Sequence, residues 1–387
     1  MSKPEQEQSG GISRRRFLGM GGLAVGAVAL GACGTDDAVT TTTAAPGTTA
    51  APGTTAASGI PRVNASGFTV GYNNPNRLLR APLYIGQSEE LGFFEEVGIT
   101  DFEINDADDP VPPTLSGDYK ISGFDSDVLF DAIDKDVLDA KMLNINLGIQ
   151  SLIMVAREGI ETPEDLRGMR VGIGRAGGVN EAFAKYMLED MGLDPATDVI
   201  ATEMTGGSND WVQAMLTGQL DATIGFARHI PLAEEAGGGA LYNDFLPFPQ
   251  FGFAMTTQAI EEDPEFPAAW AYAYIQAQRW VKTEDNFDDL VRILSEEFGI
   301  DLPPAFFDPA VYEVDNRHLT EDLGFDPAEM DNLLAFVAPF GNVAPDINDR
   351  WRGYVDVSGL HVAQAALGLE LNPLADLSDG EEKIGSL

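Results

Sequence analysis

The chain has 387 residues and a formal net charge of -39, from 62 Asp and Glu against 23 Lys and Arg. That length exceeds what one hydrophobic core usually supports, so one large or two medium lobes are expected. The charge excludes a nucleic-acid partner, because holding phosphates requires clustered Lys and Arg. With a single Cys no disulfide can form within the chain, and the fold must rest on packing.

The N-terminus reads as an export address. Ser13-Arg14-Arg15-Arg16-Phe17-Leu18 precedes a Gly-rich apolar stretch, Gly19 to Leu30, that is too short and too weakly apolar for a dependable membrane span. It resembles a twin-arginine signal, while Gly19 stands where that pattern has Lys and keeps Sec export open. Leu30-Gly31-Ala32-Cys33 resembles a bacterial lipobox, which makes residues 1–32 a cleaved signal and Cys33 the lipidated first residue of the mature chain. An odd thiol in an exported protein needs an explanation, and lipidation supplies one. Residues 33–66 are rich in Thr, Ala, Pro and Gly, with Ala44–Thr49 repeated at Ala50–Thr55; such a tract has little to bury and serves as a tether with a reach of about 30 Å.

The folded body begins near Phe68, where Phe68–Tyr72 reads as a strand. A helix over Ala81–Gly86 leads toward the Gly-aromatic exit Leu91–Phe94, and Phe102–Ile104 is the next strand. Ile121–Phe124, Leu152–Ala156, Val171–Ile173 and Ala222–Phe226 are further strand candidates. Between them a helix starts at Thr162, with Thr as N-cap and Pro163 at the first helical position, and another runs from Ser208 to Leu216 and stops at Gly218. Alternating strands and helices at this spacing predict an α/β architecture with largely parallel sheets. From Pro267 onward the pattern is mostly helical, over Ala268–Lys282, Phe287–Phe298, Pro327–Val337 and Val362–Leu367.

Three stretches together carry a family resemblance: Ala81–Ile85 with Leu91–Phe94, then Gly159–Val171, then Leu216–Ala222. In this order they resemble the NMT1/THI5-like solute-binding proteins, which serve ABC importers for nitrate, sulfonates, taurine and thiamine-related pyrimidines. The resemblance covers about residues 68–260. It implies a two-lobed, type 2 periplasmic-binding-protein-like fold, with two Rossmann-like lobes around a central ligand cleft. Lobe 1 is expected over 67–156 plus 251–387 and lobe 2 over 157–250, with crossings near Ser151–Ala156 and Phe251–Met255. It also implies a non-enzymatic protein on the extracytoplasmic face of the membrane, with a small-molecule ligand and an ABC permease as partners and no cofactor.

The implied ligand residues lie at strand ends. Asn73, Asn74 and Arg77 follow the first strand, although an Asn-Asn-Pro turn is also ordinary loop chemistry. Phe124, Asp125 and Ser126 end the strand that should face the cleft. Gly174, Arg175, Ala176, Gly177, Gly178 and Asn180 form a Gly-rich turn before a helix, where backbone N–H groups can hold the polar part of a ligand. Gly172, Gly174 and Gly177 also satisfy G-x-G-x-x-G, and Asp194 could act as the acidic partner of a dinucleotide; a plain strand-helix turn is the third reading. Thr205 and Ser208 flank the start of the Trp211 helix, where capping alone explains Ser208, and Phe226 and Arg228 end a second-lobe strand. Trp211 could stack on a planar ligand or serve the core.

Catalytic signals are thin. His229, His318 and His361 are isolated, no pair has metal-ligand spacing, and no G-x-S-x-G elbow is present. Two functions remain: a solute-binding lipoprotein, or a twin-arginine-exported oxidoreductase that holds a nucleotide at the Gly174 loop. The ligand stays open among sulfonates, nitrate, carboxylates, pyrimidines and flavins. An anion would need local cations, and Arg77, Arg80, Arg175 and Arg228 fall in segments that could supply them.

Overall fold

A computed structural model describes residues 59–72, 79–106, 109–149, 152–175, 179–243, 246–302, 311 and 316–374. The signal, Cys33 and the tether as far as residue 58 lie outside them. Ten strands form two five-stranded sheets. The first contains β1 (Ala65–Tyr72), β2 (Ile99–Asn105), β3 (Ile121–Asp125), β4 (Ala140–Leu147) and β10 (Phe251–Thr256), in the order β2-β1-β3-β10-β4. The second contains β5 (Ile153–Ala156), β6 (Arg170–Gly172), β7 (Ile200–Thr202), β8 (Ala222–Gly225) and β9 (Gly239–Tyr242), in the order β7-β6-β8-β5-β9. Every residue of β5 and of β8 is buried, as strands covered on both faces require, which is why they read as unbroken apolar runs.

The sheets are mixed, which corrects the expectation of largely parallel ones. β1 pairs in parallel with β2 and β3, and β6 with β7 and β8, as βαβ units require. β10 runs antiparallel to both β3 and β4, and β5 antiparallel to both β8 and β9. Each of these reversed strands is the first one after the chain passes between the sheets. The passages fall over residues 148–152 and 243–250; Ile153–Ala156 and Phe251–Met255 are ladder strands instead of crossing segments. An extended apolar run looks alike in both settings, so periodicity could not separate them.

Several local signals behave as their chemistry demands. The Pro327–Val337 helix begins with Pro at its first position, and the Asp326 carboxylate accepts the Ala328 N–H at 2.8 Å. The expected helix at Thr162 is a single 3-10 turn, Pro163–Leu166. Asp165 Oδ2 there accepts both the Thr162 N–H and its hydroxyl at 2.9 Å. Gly168, at φ +75°, closes the segment by adopting the left-handed conformation that costs glycine least. On the first sheet the long Phe266–Lys282 helix presents Trp270 to Phe94, Phe102 and Phe253, with ring centroids 4.9, 5.7 and 5.2 Å away. Near the second sheet, Phe183 of the Val179–Asp190 helix packs on Phe336 at 5.0 Å and on Phe248 at 5.8 Å. Phe336 belongs to a C-terminal helix and Phe248 to the returning passage, so these rings bind the second sheet's helix to later segments of the chain.

Asp221 explains one motif of the resemblance. It is 4% exposed and sits just before β8, where its carboxylate accepts Arg157 Nε at 2.9 Å, the Arg170 backbone N–H at 2.9 Å and Arg170 Nε at 3.0 Å. The starts of β6 and β8 and the end of β5 are thereby tied together. The Arg170 hydrogen bond, against the opposing effect of burial, holds the Asp221 carboxyl well below the usual carboxylate range. A depressed folded pKa stabilises fully above the unfolded value, about 4, and that stability is lost as pH falls through the folded one. Asp221→Asn is therefore expected to lower unfolding free energy by about 2 kcal/mol at neutral pH. The gap to wild type should narrow below about pH 4. Urea melts at pH 7 and pH 3 measure both; an equal gap at the two pH values contradicts the assignment.

Candidate functional site

Among the described residues, Phe124–Ser126, Gly174–Arg175 and Phe226–Arg228 lie at the carboxyl ends of β3, β6 and β8, the edge where open α/β sheets hold ligands. β8 has the most developed end. Gly225 is followed by Phe226 and a 3-10 turn, Ala227–His229. Arg228 is buried, and its Nη2 donates to Ser208 Oγ at 3.1 Å while its guanidinium carbon lies 4.7 Å from the centre of the Phe226 ring. His229, 1% exposed, accepts the Phe226 N–H on Nδ1 at 3.0 Å, and its Nε2 lies 2.9 Å from Asn209 Oδ1. The first bond leaves Nδ1 without a proton, so Nε2 carries it and donates to Asn209. Burial, and then the Arg228 charge, push the imidazole down to about 3.

The reach of Arg228 extends to the first sheet. Burial first, then the charges of Arg228 and Lys282, also push His318 down to about 3. The His318 carbonyl accepts the Gly148 N–H at 2.8 Å, immediately after β4. A cation rooted at the end of a second-sheet strand thus acts on a residue fastened to the first sheet.

The helix Ser208–Leu216 supports this turn. Its N-cap is Gly207, whose N–H is accepted by Asp210 Oδ2 at 3.1 Å, so Ser208 is the first helical residue and not the cap. That frees the Ser208 hydroxyl to receive Arg228. Trp211, 5% exposed, donates Nε1 to the Thr205 carbonyl at 3.1 Å, which leaves the Thr205 side chain outward. The core reading of Trp211 is the one its burial favours.

At the end of β6, Gly174 adopts φ +82°, and its carbonyl accepts the Met204 N–H at 2.8 Å. Arg175 is exposed, and Asn180 is half-buried in the first turn of the Val179–Asp190 helix. Ala176, Gly177 and Gly178 lie outside the described residues, as do Asn73, Asn74 and Arg77. Gly172 has a packing role, since a Cβ there would stand 2.6 Å from Thr223 Oγ1 of β8. Asp194 caps the turn that precedes β7, accepting Ala196 N–H at 2.8 Å and Thr197 Oγ1 at 2.9 Å. Because β6 and β7 are parallel, Asp194 is at the sheet edge opposite to Gly174. Asp194 therefore cannot be the acidic partner of the fingerprint.

At the end of β3, Phe124 is fully buried and Asp125 pairs opposite Phe251. Burial, reinforced by the charge of Asp127, pushes the Asp125 carboxyl up to about 7. Asp127 accepts Asn342 Nδ2 at 3.0 Å. Ser126 is committed to the returning passage, its hydroxyl donating to the Pro249 carbonyl and its N–H to the Gln250 carbonyl, each at 2.7 Å. Sequence reasoning missed His229, Asn209 and Asp127. Only the position of His229, three residues past a strand-end aromatic, could have pointed to it.

Among the described residues no group of three His, Cys, Asp or Glu could hold a metal ion, and no helix is long and apolar enough to cross a membrane. A groove of about 290 Å³ between Leu334, Ala338, Pro345 and Ile347 lies on C-terminal helices away from these strand ends, and no charged side chain lines it.

The Gly174 turn yields a stability test. A Cβ on Gly174 would meet Asn180 Cβ at 2.9 Å and the Trp211 ring at 3.6 Å, at a φ that L residues avoid. Gly174→Ala is expected to cost about 1–3 kcal/mol of unfolding free energy, read from chemical melts. A change within a few tenths of a kcal/mol would show that the turn does not depend on this conformation.

Comparison with known proteins bears on the fold. Residues 149–295 match the model of the NMT1-like family. The nitrate/nitrite binding protein NrtA of Nostoc sp. PCC 7120 is 26% identical over 163 residues, 40% of this chain and 35% of that protein, so the match spans about a third of the relative's length. Among solved structures, the periplasmic nitrate-binding protein NrtA from Synechocystis PCC 6803 has a TM-score of 0.59 at 15% identity, covering 79% of this chain and 90% of that one. A putative periplasmic sulfonate-binding protein SsuA from Methylobacillus flagellatus has a TM-score of 0.58 at 14% identity, covering 80% and 97%. The desulfurization enzyme DSZB is similar too, with a TM-score of 0.56 at 14% identity over 78% and 99%, so the fold alone does not separate binding from catalysis. Residues 149–295 thus resemble the NMT1-like family, and the mixed two-sheet fold is similar to that of the nitrate- and sulfonate-binding proteins.

Proposed function

We propose that this chain is the extracytoplasmic solute-binding lipoprotein of an ABC importer, taking a small anion between two lobes and delivering it to a permease. The lobes correspond to residues 67–156 plus 251–387 and residues 157–250, with β5 contributed to the second sheet. Arg228 is the observation that carries the reading. In a chain of net charge -39, it is a buried cation at a strand's carboxyl end, braced by Ser208 and Phe226, with a field that reaches the first sheet at His318. An anion entering there gains a charge-assisted partner inside low dielectric. The nitrate and sulfonate specificities named for the similar proteins point to the same ligand chemistry.

Binding without chemistry is favoured because the polar groups of the turn are arranged to hold each other. His229 is neutral and uses both ring nitrogens, and the only Cys in the chain is Cys33. The nucleotide alternative is weakened by Asp194 at the opposite sheet edge. Export and anchoring follow from the arginine-rich leader and Leu30-Gly31-Ala32-Cys33.

Ethanesulfonate or nitrate is expected to raise the unfolding midpoint of the protein. Arg228→Ala should weaken binding of the responding anion at least tenfold, about 1.4 kcal/mol or more, by calorimetry. No thermal response to sulfonates, nitrate or carboxylates, together with a response to a pyrimidine or flavin, would overturn the anion assignment. Cys33→Ala should move the protein from the detergent to the aqueous phase, or leave it held by an uncleaved signal. Wild-type protein already in the aqueous phase would contradict the anchor.

A further inference from the structure

The turn after β8 contains a histidine that nothing in the anion reading uses. His229 is 1% exposed and neutral, and it makes two directed bonds: Phe226 N–H to Nδ1 at 3.0 Å, and Nε2–H to Asn209 Oδ1 at 2.9 Å. One bond ends on Phe226 and the other on the residue after Ser208, and both Phe226 and Ser208 hold Arg228. Phe226 supplies the ring under the guanidinium, and Asn209 follows Ser208, whose hydroxyl receives Arg228 Nη2 at 3.1 Å. The imidazole thus spans from the strand-end turn to the first turn of the Ser208–Leu216 helix, while the His229 backbone N–H closes the turn on the Phe226 carbonyl at 2.8 Å. Gly225 makes room for it, because a Cβ there would lie 2.9 Å from Nδ1.

We propose that His229 is the positioning residue of the anion site: a neutral imidazole strut that fixes both the Phe226 ring and the Ser208 hydroxyl, and through them sets the direction of the Arg228 guanidinium. The role rests on the anion reading for its purpose and on the hydrogen bonds for its geometry. A long side chain with several rotatable bonds loses much rotamer entropy on binding unless it is held beforehand. Holding the supports of Arg228 in advance lets the anion meet an oriented fork. A protonated imidazole would turn its Nδ1–H against the Phe226 N–H, so the strut works only in the neutral form that burial and the adjacent Arg228 charge enforce.

Two variants separate a strut from mere filling of space. His229→Asn places an acceptor near the Nδ1 position and can still take the Phe226 N–H; His229→Phe keeps the ring volume and has no acceptor. In the full-length protein in detergent, the Arg228 Nε–H is expected to be slow to exchange with water by nitrogen-resolved NMR in wild type, and intermediate in His229→Asn, which keeps the Phe226 bond and loses the Asn209 one. In His229→Phe it should exchange at least tenfold faster. Unchanged exchange in His229→Phe overturns the proposal whether or not any anion binds. With ethanesulfonate as probe, or nitrate where ethanesulfonate gives no heat, His229→Phe should weaken binding at least tenfold in the wild-type background and less than twofold in the Arg228→Ala background. Equal losses in both backgrounds would mean that His229 acts independently of Arg228 and would also overturn it. If neither anion binds wild type, the anion reading falls, and the exchange comparison still decides the strut.

Discussion

Strand β10 enters the first sheet between β3 and β4, and the rest of the architecture depends on that insertion. The fit is close: a Cβ on Gly252 would stand 1.9 Å from the Asn144 carbonyl oxygen of β4. Until β10 arrives, β3 and β4 have no shared partner, and β10 arrives only after the chain has traversed the whole second sheet. The second sheet shows the same plan, with β5 between β8 and β9 as the first strand after the outward passage. The first sheet is therefore completed only after the chain has passed through the second, whose five strands, β5 to β9, are contiguous in sequence. Such non-local pairing is expensive in loop-closure entropy and slow to form.

The same insertion brings the candidate site to the passages. Ser126, at the end of β3, spends its hydroxyl and N–H on Pro249 and Gln250, and Gln250 donates its own N–H to the Leu147 carbonyl at 3.0 Å. The returning passage is thus stitched to the carboxyl edge of the first sheet. In the second sheet, the turn after β8 carries Arg228. In a strongly acidic protein, Arg228 is a buried guanidinium beside imidazoles that burial and its own charge hold neutral. Long-range repulsion of an anion by the surface is screened by salt within about 10 Å at 0.1 M, whereas the field of a buried group is screened far less. The overall charge and an anion ligand are compatible on these grounds.

What was legible in the sequence was what depends on local chemistry. Phe287–Phe298 and Pro327–Val337 are helices over the limits that periodicity, Asp326 and Pro327 set. Strands with fully buried faces, such as Ala222–Gly225, announced themselves as apolar runs. What was not legible depends on partners distant in sequence. β4 carries Lys141, Asn144 and Asn146, and both Asn are buried, Asn146 bonding the Tyr72 and Tyr274 hydroxyls, so its pattern did not read as a strand. β7 and β9 are three and four residues long, too short for a period. In the candidate site, Arg228 and Phe226 were legible as strand-end residues. Ser208 resembled a cap because Ser before a helix usually is one, and only the folded chain shows its hydroxyl receiving Arg228. His229 was set aside as isolated, since a positioning histidine has no spacing signature: its partners are a backbone N–H and an Asn 20 residues away.

The central claim is that the carboxyl edges of the two sheets form one ligand cleft with Arg228 as its cation. Hydrogen exchange of the full-length protein with and without a binding anion tests it most directly. The account predicts simultaneous protection at Asp125–Ser126 of the first sheet and at Asn180, Ser208 and Phe226–His229 of the second. Protection confined to one sheet, or to the groove beside Leu334 and Ile347, would contradict it.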